Sequence, residues 1–250
     1  MRPIRAIIPA AGKGKRLQKV SGDAPKAMFR VAGRPMLEVV LENIGFVQPQ
    51  DVYIVVGYGK EQIMTHFGQA YHYTEQTQQL GTGHAVMTCA QAFEGFDGDV
   101  LITFGDMPLF RREELEKMCL QHAQNGADCT LMTAENPDLT MWARVLRDEK
   151  GEFAAIVEGK DCTPAQAQIK ELFSGVMVFN SRSLFQVLPQ VGCANVQGEY
   201  YVTEVPELMV KQGMKVQTYF TADGDDLRGI NTPEDLEACE KILIARSTLG

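Results

Sequence analysis

Short, almost wholly apolar runs alternate along this chain with stretches whose apolar residues recur every three or four positions. Residues 4–8, 52–56, 100–104 and 127–133 read as buried strands, and 70–73 as a shorter one. Residues 35–46 carry Leu37, Val40, Leu41 and Ile44 on one helical face, and 59–67, 83–93 and 111–124 read as further helices. Continuous apolar strands separated by helices imply a parallel sheet covered on both faces. The expectation is therefore an α/β fold, a Rossmann-like doubly wound sheet whose ligands sit beyond the carboxyl ends of the strands. After Ala143 the rhythm changes. Residues 143–146, 153–157 and 175–179 read as strands with turn residues between them, and Asp148 to Gly151 as a hairpin turn. These strands make the expected sheet mixed, though mostly parallel.

The last helix is the most clearly punctuated. Thr232 suits the N-cap, Pro233 the first helical position and Asp235 the third, with Leu236, Cys239, Ile242 and Leu243 as the apolar stripe. The reading divides the chain into a main domain over 1–230 and this helix over 231–250. The helix either packs back on the domain or leads into a further segment.

Composition removes several classes of function. The 250 residues are 45% hydrophobic and 22% charged, as in ordinary globular proteins. Lys and Arg number 24 against 32 Asp and Glu, a net charge of −8, so a general nucleic-acid or membrane-surface partner is not expected. No run approaches the roughly 18 apolar residues of a membrane span. The six cysteines (Cys89, Cys119, Cys129, Cys162, Cys193, Cys239) form no Cys-x-x-Cys spacing, which argues against a zinc or redox framework and for a reduced, cytoplasmic setting.

Four segments could carry chemistry. Ala10-Ala11-Gly12-Lys13-Gly14-Lys15-Arg16 follows the first strand; its small residues let backbone N–H groups approach an anion, and three cations add fixed charge. The spacing is neither a Walker A loop nor Gly-x-Gly-x-x-Gly, since Leu17 stands where the last glycine belongs. Gln76-Thr77-Gln78-Gln79-Leu80-Gly81-Thr82-Gly83-His84 offers amides for a base edge and glycines at a helix start, with His84 read as an oriented structural residue. Gly105-Asp106 follows a buried strand at its carboxyl end, where a hard carboxylate suits Mg²⁺ held with substrate phosphates. Lys26, after Pro25, carries little weight on local grounds. Later in the chain, Glu158 and Lys160 could hold a sugar and a phosphate or form a surface ion pair. Asn231 could be a second metal ligand or belong to the helix cap. Residues 198–204, Gly-Glu-Tyr-Tyr-Val-Thr-Glu, read as a site-facing loop running into a helix.

Taken in order, AAGKGKR, PK, QQLGTGHA, GDMPL, EGKD, GEYYVTE and GIN resemble the uridyltransferase domain of the bifunctional N-acetylglucosamine-1-phosphate uridyltransferase / glucosamine-1-phosphate acetyltransferase family. The resemblance runs from Ile7 to about the last helix and implies the nucleotide-diphospho-sugar transferase type of fold. It implies that Ala10, Ala11, Gly12 and Gly14 line the nucleotide. Arg16 and Lys26 would neutralise the triphosphate, with Asp106 completing the catalytic set. Gln76, Gln79, Gly81 and Thr82 would select uracil and ribose. Glu158, Ala143 and Gly105 would meet the sugar, and Asp106 and Asn231 would bind Mg²⁺.

Three positions depart from the family pattern. Lys15 replaces a Thr. Met141-Trp142-Ala143-Arg144 stands where the sugar loop reads Gly-Tyr-Gly-Arg. Phe173 aligns with an Asn that contacts the sugar. Two of these fall on the sugar side, and the uridine side is intact. The implied reaction joins UTP and a sugar 1-phosphate into a UDP-sugar and pyrophosphate. It needs no nucleophilic triad, in keeping with four scattered histidines. A nucleotidyltransferase for a different sugar 1-phosphate and a non-catalytic nucleotide-sugar-binding module are the competing readings. The family's acetyltransferase half, a trimer-forming β-helix, has no hexapeptide repeat here. No acetyl transfer is expected of these residues, and oligomers are expected only if such a domain follows.

Overall fold

The computed structural model describes residues 2–17 and 23–248, with the side chain of Ser174 excepted. In chain order the elements are β1 (Ile4–Pro9), β2 (Arg30–Val31), β3 (Arg34–Pro35), α1 (Met36–Asn43), β4 (Val52–Val56), α2 (Lys60–Phe67), β5 (His72–Glu75) and α3 (Thr82–Met87). They continue with β6 (Asp99–Ile102), α4 (Arg112–Asn125), β7 (Cys129–Glu135), β8 (Ala143–Arg147), β9 (Phe153–Val157) and β10 (Glu171–Asn180). The chain then forms α5 (Ser181–Val187), α6 (Val205–Lys211), β11 (Val216–Phe220) and α7 (Pro233–Thr248).

The main sheet runs β11-β7-β10-β6-β1-β4-β5, with β8 and β9 added beside β10. β1 pairs in parallel with both β4 and β6, β4 with β5, and β11 with β7. β10 runs antiparallel to β6 and β7 and makes the sheet mixed, as expected. Strand alternation distributes the apolar residues to two faces. In β1, Ile7 joins the core under α3, α5 and α6, which contribute Val86, Leu184 and Met209. Its neighbours Ala6 and Ile8 join the opposite core, where α1, α2 and α4 contribute Leu37, Ile63 and Met118.

A smaller third core binds α7 to the domain. Cys239 is fully buried against Leu17, Phe29, Val31 and Ile230, with Leu236, Ile242 and Leu243 packed beside it. The helix start has the expected chemistry: Asp235 N–H donates to Thr232 Oγ1 at 3.2 Å, and Asp235 Oδ2 accepts from Thr232 N–H at 2.9 Å. Asp148 closes the β8–β9 hairpin as expected, its N–H bonding the Glu152 carbonyl. The helix expected over 83–93 ends at Met87 and resumes as a 3-10 turn over Ala90–Phe93. Among the described residues, no helix is long and apolar enough to cross a membrane.

Candidate functional site

β1, β4, β5 and β6 run in parallel, so the loops that follow their carboxyl ends meet at one end of the sheet. Backbone hydrogen bonds lock these loops together. Ala10 N–H donates to Val55 O at 2.8 Å, Gly105 N–H to Pro9 O at 3.1 Å, and Gln76 N–H to Val56 O at 2.8 Å. Between them lies a cleft of about 250 Å³. Its walls include Ala10, Ala11, Gly12 and Lys26 on one side, Gln76, Gln79, Gly81 and Thr82 on another, and Gly105 and Asp106 at the end of β6.

At the β6 end, the Lys26 ammonium bonds the Asp106 carboxylate directly and donates to Asn231 Oδ1 at 2.8 Å. Three loops deliver these residues. Lys26 opens a 3-10 turn after Pro25, and its N–H is tied to Gly12 O at 3.1 Å. Asp106 follows β6, and its carbonyl accepts from Ile230 N–H at 2.9 Å. Asn231 precedes the capped start of α7, where its own N–H donates to Asp235 Oδ2 at 2.9 Å. A carboxylate and an amide oxygen therefore converge on one cationic nitrogen. Among the described residues, no group of three or more His, Cys, Asp or Glu could hold a metal. A metal at Asp106 and Asn231 would complete its shell with water and substrate oxygens.

The opposite wall rests on a clasp between two segments. Gly83 N–H donates to Tyr200 O at 2.7 Å, Tyr200 N–H to Leu80 O at 2.8 Å, and Val202 N–H to Thr82 Oγ1 at 3.1 Å. Gly81 has φ +107°, and a Cβ there would lie 2.6 Å from the Tyr200 carbonyl oxygen, so only glycine fits. Gln79 Nε2 donates across the cleft to Ala11 O at 2.8 Å. Gln76 is buried, donates to Gly81 O at 3.0 Å and meets His84 Nδ1 at 3.0 Å, a contact that orients the His84 ring. The cleft also takes in Glu199, which the local sequence placed only in a site-facing loop.

Several expected site residues lie outside this cleft's walls. Gly14 has φ +67°, and a Cβ there would sit 2.9 Å from Lys26 Cβ; it seats Lys26 rather than facing the cleft. Lys13 places its ammonium over the Tyr58 ring, 4.7 Å from its centre, while Lys15 and Arg16 are exposed in the turn that follows. Of the early cations among the described residues, Lys26 is the one that lines the cleft. Ala143 is the buried first residue of β8 and belongs to the core. Phe173 is likewise buried in β10, paired in register with Ala143 and Thr133.

Glu158 is half-buried and accepts from Thr203 Oγ1 at 2.9 Å. Burial pushes its carboxyl above the usual range, with Asp161 adding to the effect and the Thr203 hydroxyl opposing it. Burial and the nearby Asp161, Glu158, Glu199 and Glu204 push the Tyr201 phenol up to about 12. This region is therefore acidic, in contrast to the Lys26 end.

The family model for the MobA-like NTP transferase domain matches residues 6–201. The chain is 37% identical over 241 residues to the bifunctional protein GlmU of Enterococcus faecalis, covering 96% of this chain and 52% of that protein. It is 36% identical over 243 residues to bifunctional protein GlmU of Pelotomaculum thermopropionicum, covering 97% and 52%. The chain thus spans about half the length of these curated relatives. A crystal structure of UDP-glucose pyrophosphorylase complexed with UDP-glucose superposes with a TM-score of 0.79 at 17% identity, covering 98% of this chain and 100% of that one, a likeness of fold. With most of its length matched and the site at the carboxyl ends of its parallel strands, this chain belongs to the MobA-like NTP transferase domain family of nucleotidyltransferases.

Proposed function

We propose that this chain converts UTP and N-acetylglucosamine 1-phosphate to UDP-N-acetylglucosamine and pyrophosphate in the cytoplasm, with Mg²⁺ as cofactor, for cell-envelope precursor synthesis. The reading takes 1–230 as the catalytic domain and 231–250 as its C-terminal helix. The observation that carries it is the meeting of Lys26, Asp106 and Asn231 at one end of a cleft whose far wall is the Gln79-to-Thr82 segment. The identity to bifunctional GlmU proteins and the fold shared with a UDP-glucose pyrophosphorylase support it. Six unpaired cysteines support a reducing compartment.

In this reaction a phosphate oxygen of the sugar phosphate attacks the α-phosphorus of UTP. The bond from the α-phosphorus to the bridging oxygen breaks, and pyrophosphate leaves with the electron pair. No proton leaves the attacking phosphate, so the site needs no general base and no nucleophilic side chain. Its work is positioning and charge neutralisation. Mg²⁺ fits the hard oxygens of Asp106 and Asn231, which already enclose a cation in the Lys26 ammonium, and would neutralise triphosphate charge. Lys26 lines the cleft and supplies donors to phosphate oxygens; Arg16, at the exposed turn, would reach the outer phosphates. The backbone from Ala10 to Gly12 approaches the nucleotide closely, and Gln79, Gly81 and Thr82 form the base-facing wall. Glu158, held by Thr203, would accept from sugar hydroxyls.

The test offers UTP and dTTP with a panel of sugar 1-phosphates and reads pyrophosphate release. The highest kcat/KM is expected for UTP with N-acetylglucosamine 1-phosphate. A different sugar in first place removes the sugar assignment, and UTP binding without release under any sugar leaves only a binding module. Trp142 in place of the family Tyr favours the different-sugar alternative over the binding module, because it alters the sugar loop while Lys26 and Asp106 remain.

A further inference from the structure

We propose that Trp142 is a positioning residue that holds the Asn231 segment against Asp106. This rests on the reading of Asp106 and Asn231 as the catalytic end of the cleft. Trp142 closes the loop between β7 and β8, one residue before β8 begins. Arg144 fixes that loop from below. Its buried guanidinium donates to three loop carbonyls, Thr140 at 2.8 Å, Trp142 at 3.0 Å and Leu139 at 3.4 Å. Burying a guanidinium is costly; Nη1 and Nη2 offset that cost on the loop carbonyls while Nε has no partner among the described residues, so keeping those bonds commits the loop to one shape.

The loop so fixed is wedged between two glycines. On one side is Gly159, next to Glu158, where a Cβ would fall 2.1 Å from Met141 O and 3.1 Å from Trp142 O. On the other is Gly229, two residues before Asn231, where a Cβ would fall 3.2 Å from Trp142 Cη2, 3.5 Å from Met107 Cγ and 3.6 Å from Asp106 O. The far edge of the indole therefore faces the backbone that delivers Asn231. Immediately beyond that contact, Ile230 N–H makes its 2.9 Å bond to Asp106 O. The half-buried indole is broad and has only two rotatable bonds, so it acts as a stiff spacer. A smaller side chain would leave space under Gly229, and the Gly229–Asn231 backbone could move away from Asp106.

The test compares Trp142→Leu, Trp142→Tyr and Gly229→Ala in the full chain. Amide hydrogen exchange at Ile230 is followed by NMR, and kcat and KM are measured with UTP, N-acetylglucosamine 1-phosphate and Mg²⁺. In Trp142→Leu, exchange at Ile230 is expected to quicken roughly tenfold while Leu101 and Val178 in the sheet keep wild-type protection. There kcat falls by roughly 10–100-fold and KM for UTP changes by less than about twofold. Trp142→Tyr restores most of both. Gly229→Ala, which presses a methyl toward the indole, also quickens Ile230 exchange and serves if the Leu variant does not fold. Unchanged Ile230 protection in both variants overturns the proposal, as does a loss shared equally by Leu101 and Val178. A wild-type chain without turnover would sink the proposed reaction, while Ile230 exchange would still decide the role of Trp142.

Discussion

The Lys26 ammonium donates to Asn231 Oδ1 at 2.8 Å across 205 positions of sequence. The same nitrogen bonds Asp106, so one side chain from the first loop closes a ring with the end of β6 and the start of α7. Removing either ionic partner is expected to stop chemistry without unfolding the domain, since neither side chain belongs to the hydrophobic cores. Asp106→Ala and Lys26→Met should each lower pyrophosphate release by roughly 10²–10³-fold, by analogy with other positioned charges. Far-ultraviolet circular dichroism and the melting midpoint should stay close to wild type. Normal turnover in Asp106→Ala would take Asp106 out of the site.

Gly81→Ala addresses the opposite wall. The alanine must adopt φ near +107° and place its methyl against the Tyr200 carbonyl. Strain of this kind costs about 1–3 kcal/mol. The clasp between residues 80–83 and 199–202 should loosen, and UTP binding, measured by calorimetry, should weaken by roughly tenfold or more. Unchanged affinity would show that the clasp does not shape the nucleotide wall.

Glu158 gives a pH dependence with a definite sign. Its carboxyl is raised in the folded state, chiefly by burial. Between the ordinary carboxylate range and that raised value the folded chain holds the extra proton. Its contribution to stability is therefore present at low pH and lost as pH rises through the folded value. Glu158→Gln keeps an oxygen to accept from Thr203 and removes the titration. The variant should gain stability relative to wild type as pH rises from the acid range toward neutrality, read as the difference in Tm at each pH. A difference that shrinks with rising pH would contradict the assignment. The same variant should raise KM for the sugar phosphate more than for UTP.

The fully buried Asp226 accepts from Arg111 Nε at 3.0 Å, Arg246 Nη2 at 2.9 Å and Thr221 Oγ1 at 3.0 Å. Asp226 in turn raises the Arg111 pKa by hydrogen bonding. Arg246 also reaches Leu109 O at 2.6 Å, so this cluster pins α7 to the domain. Arg111→Met is expected to cost about 2 kcal/mol by urea unfolding, the worth of a charge-assisted bond. The double variant with Arg246→Met leaves the carboxylate without an ionic partner and should cost more than the two single changes together. Strict additivity would mean that the two arginines act independently.

What could be read from the sequence followed from burial. The strands at β1, β4 and β6 are largely buried on both faces, so apart from Arg5 and Asp99 their residues form apolar runs. β11 is half-exposed along Val216–Phe220 and left no such run. A mixed sheet was expected from the change of rhythm after Ala143, but which strand runs antiparallel, and between which neighbours, was not, because an apolar run carries no sign of its neighbours' direction. α5 was not read from the sequence, although Asn180, which caps it by accepting from the N–H groups of Arg182 and Ser183, is a residue type that marks helix starts. In the site, the glycine loops and Asp106 stood out from their place after strands. Lys26 did not, because its partners are 80 and 205 positions away. Only the family resemblance marked it. The cluster of early cations proved less concentrated than its spacing implied, since Lys13 turns to Tyr58 and Lys15 and Arg16 face solvent.

The placement of β10 between β6 and β7 bears on how the chain is made. β6 and β7 are separated in sequence by one helix, yet they never pair; each waits for a strand that begins at Glu171. A ribosome-bound chain that has emerged only as far as β9 therefore carries two unpaired strand edges in the middle of its future sheet. Completion depends on threading a late segment antiparallel into that gap, a non-local step that is slow and exposes the chain to mispairing meanwhile. Translation pauses or chaperone capture would matter most while residues 136–180 are being delivered.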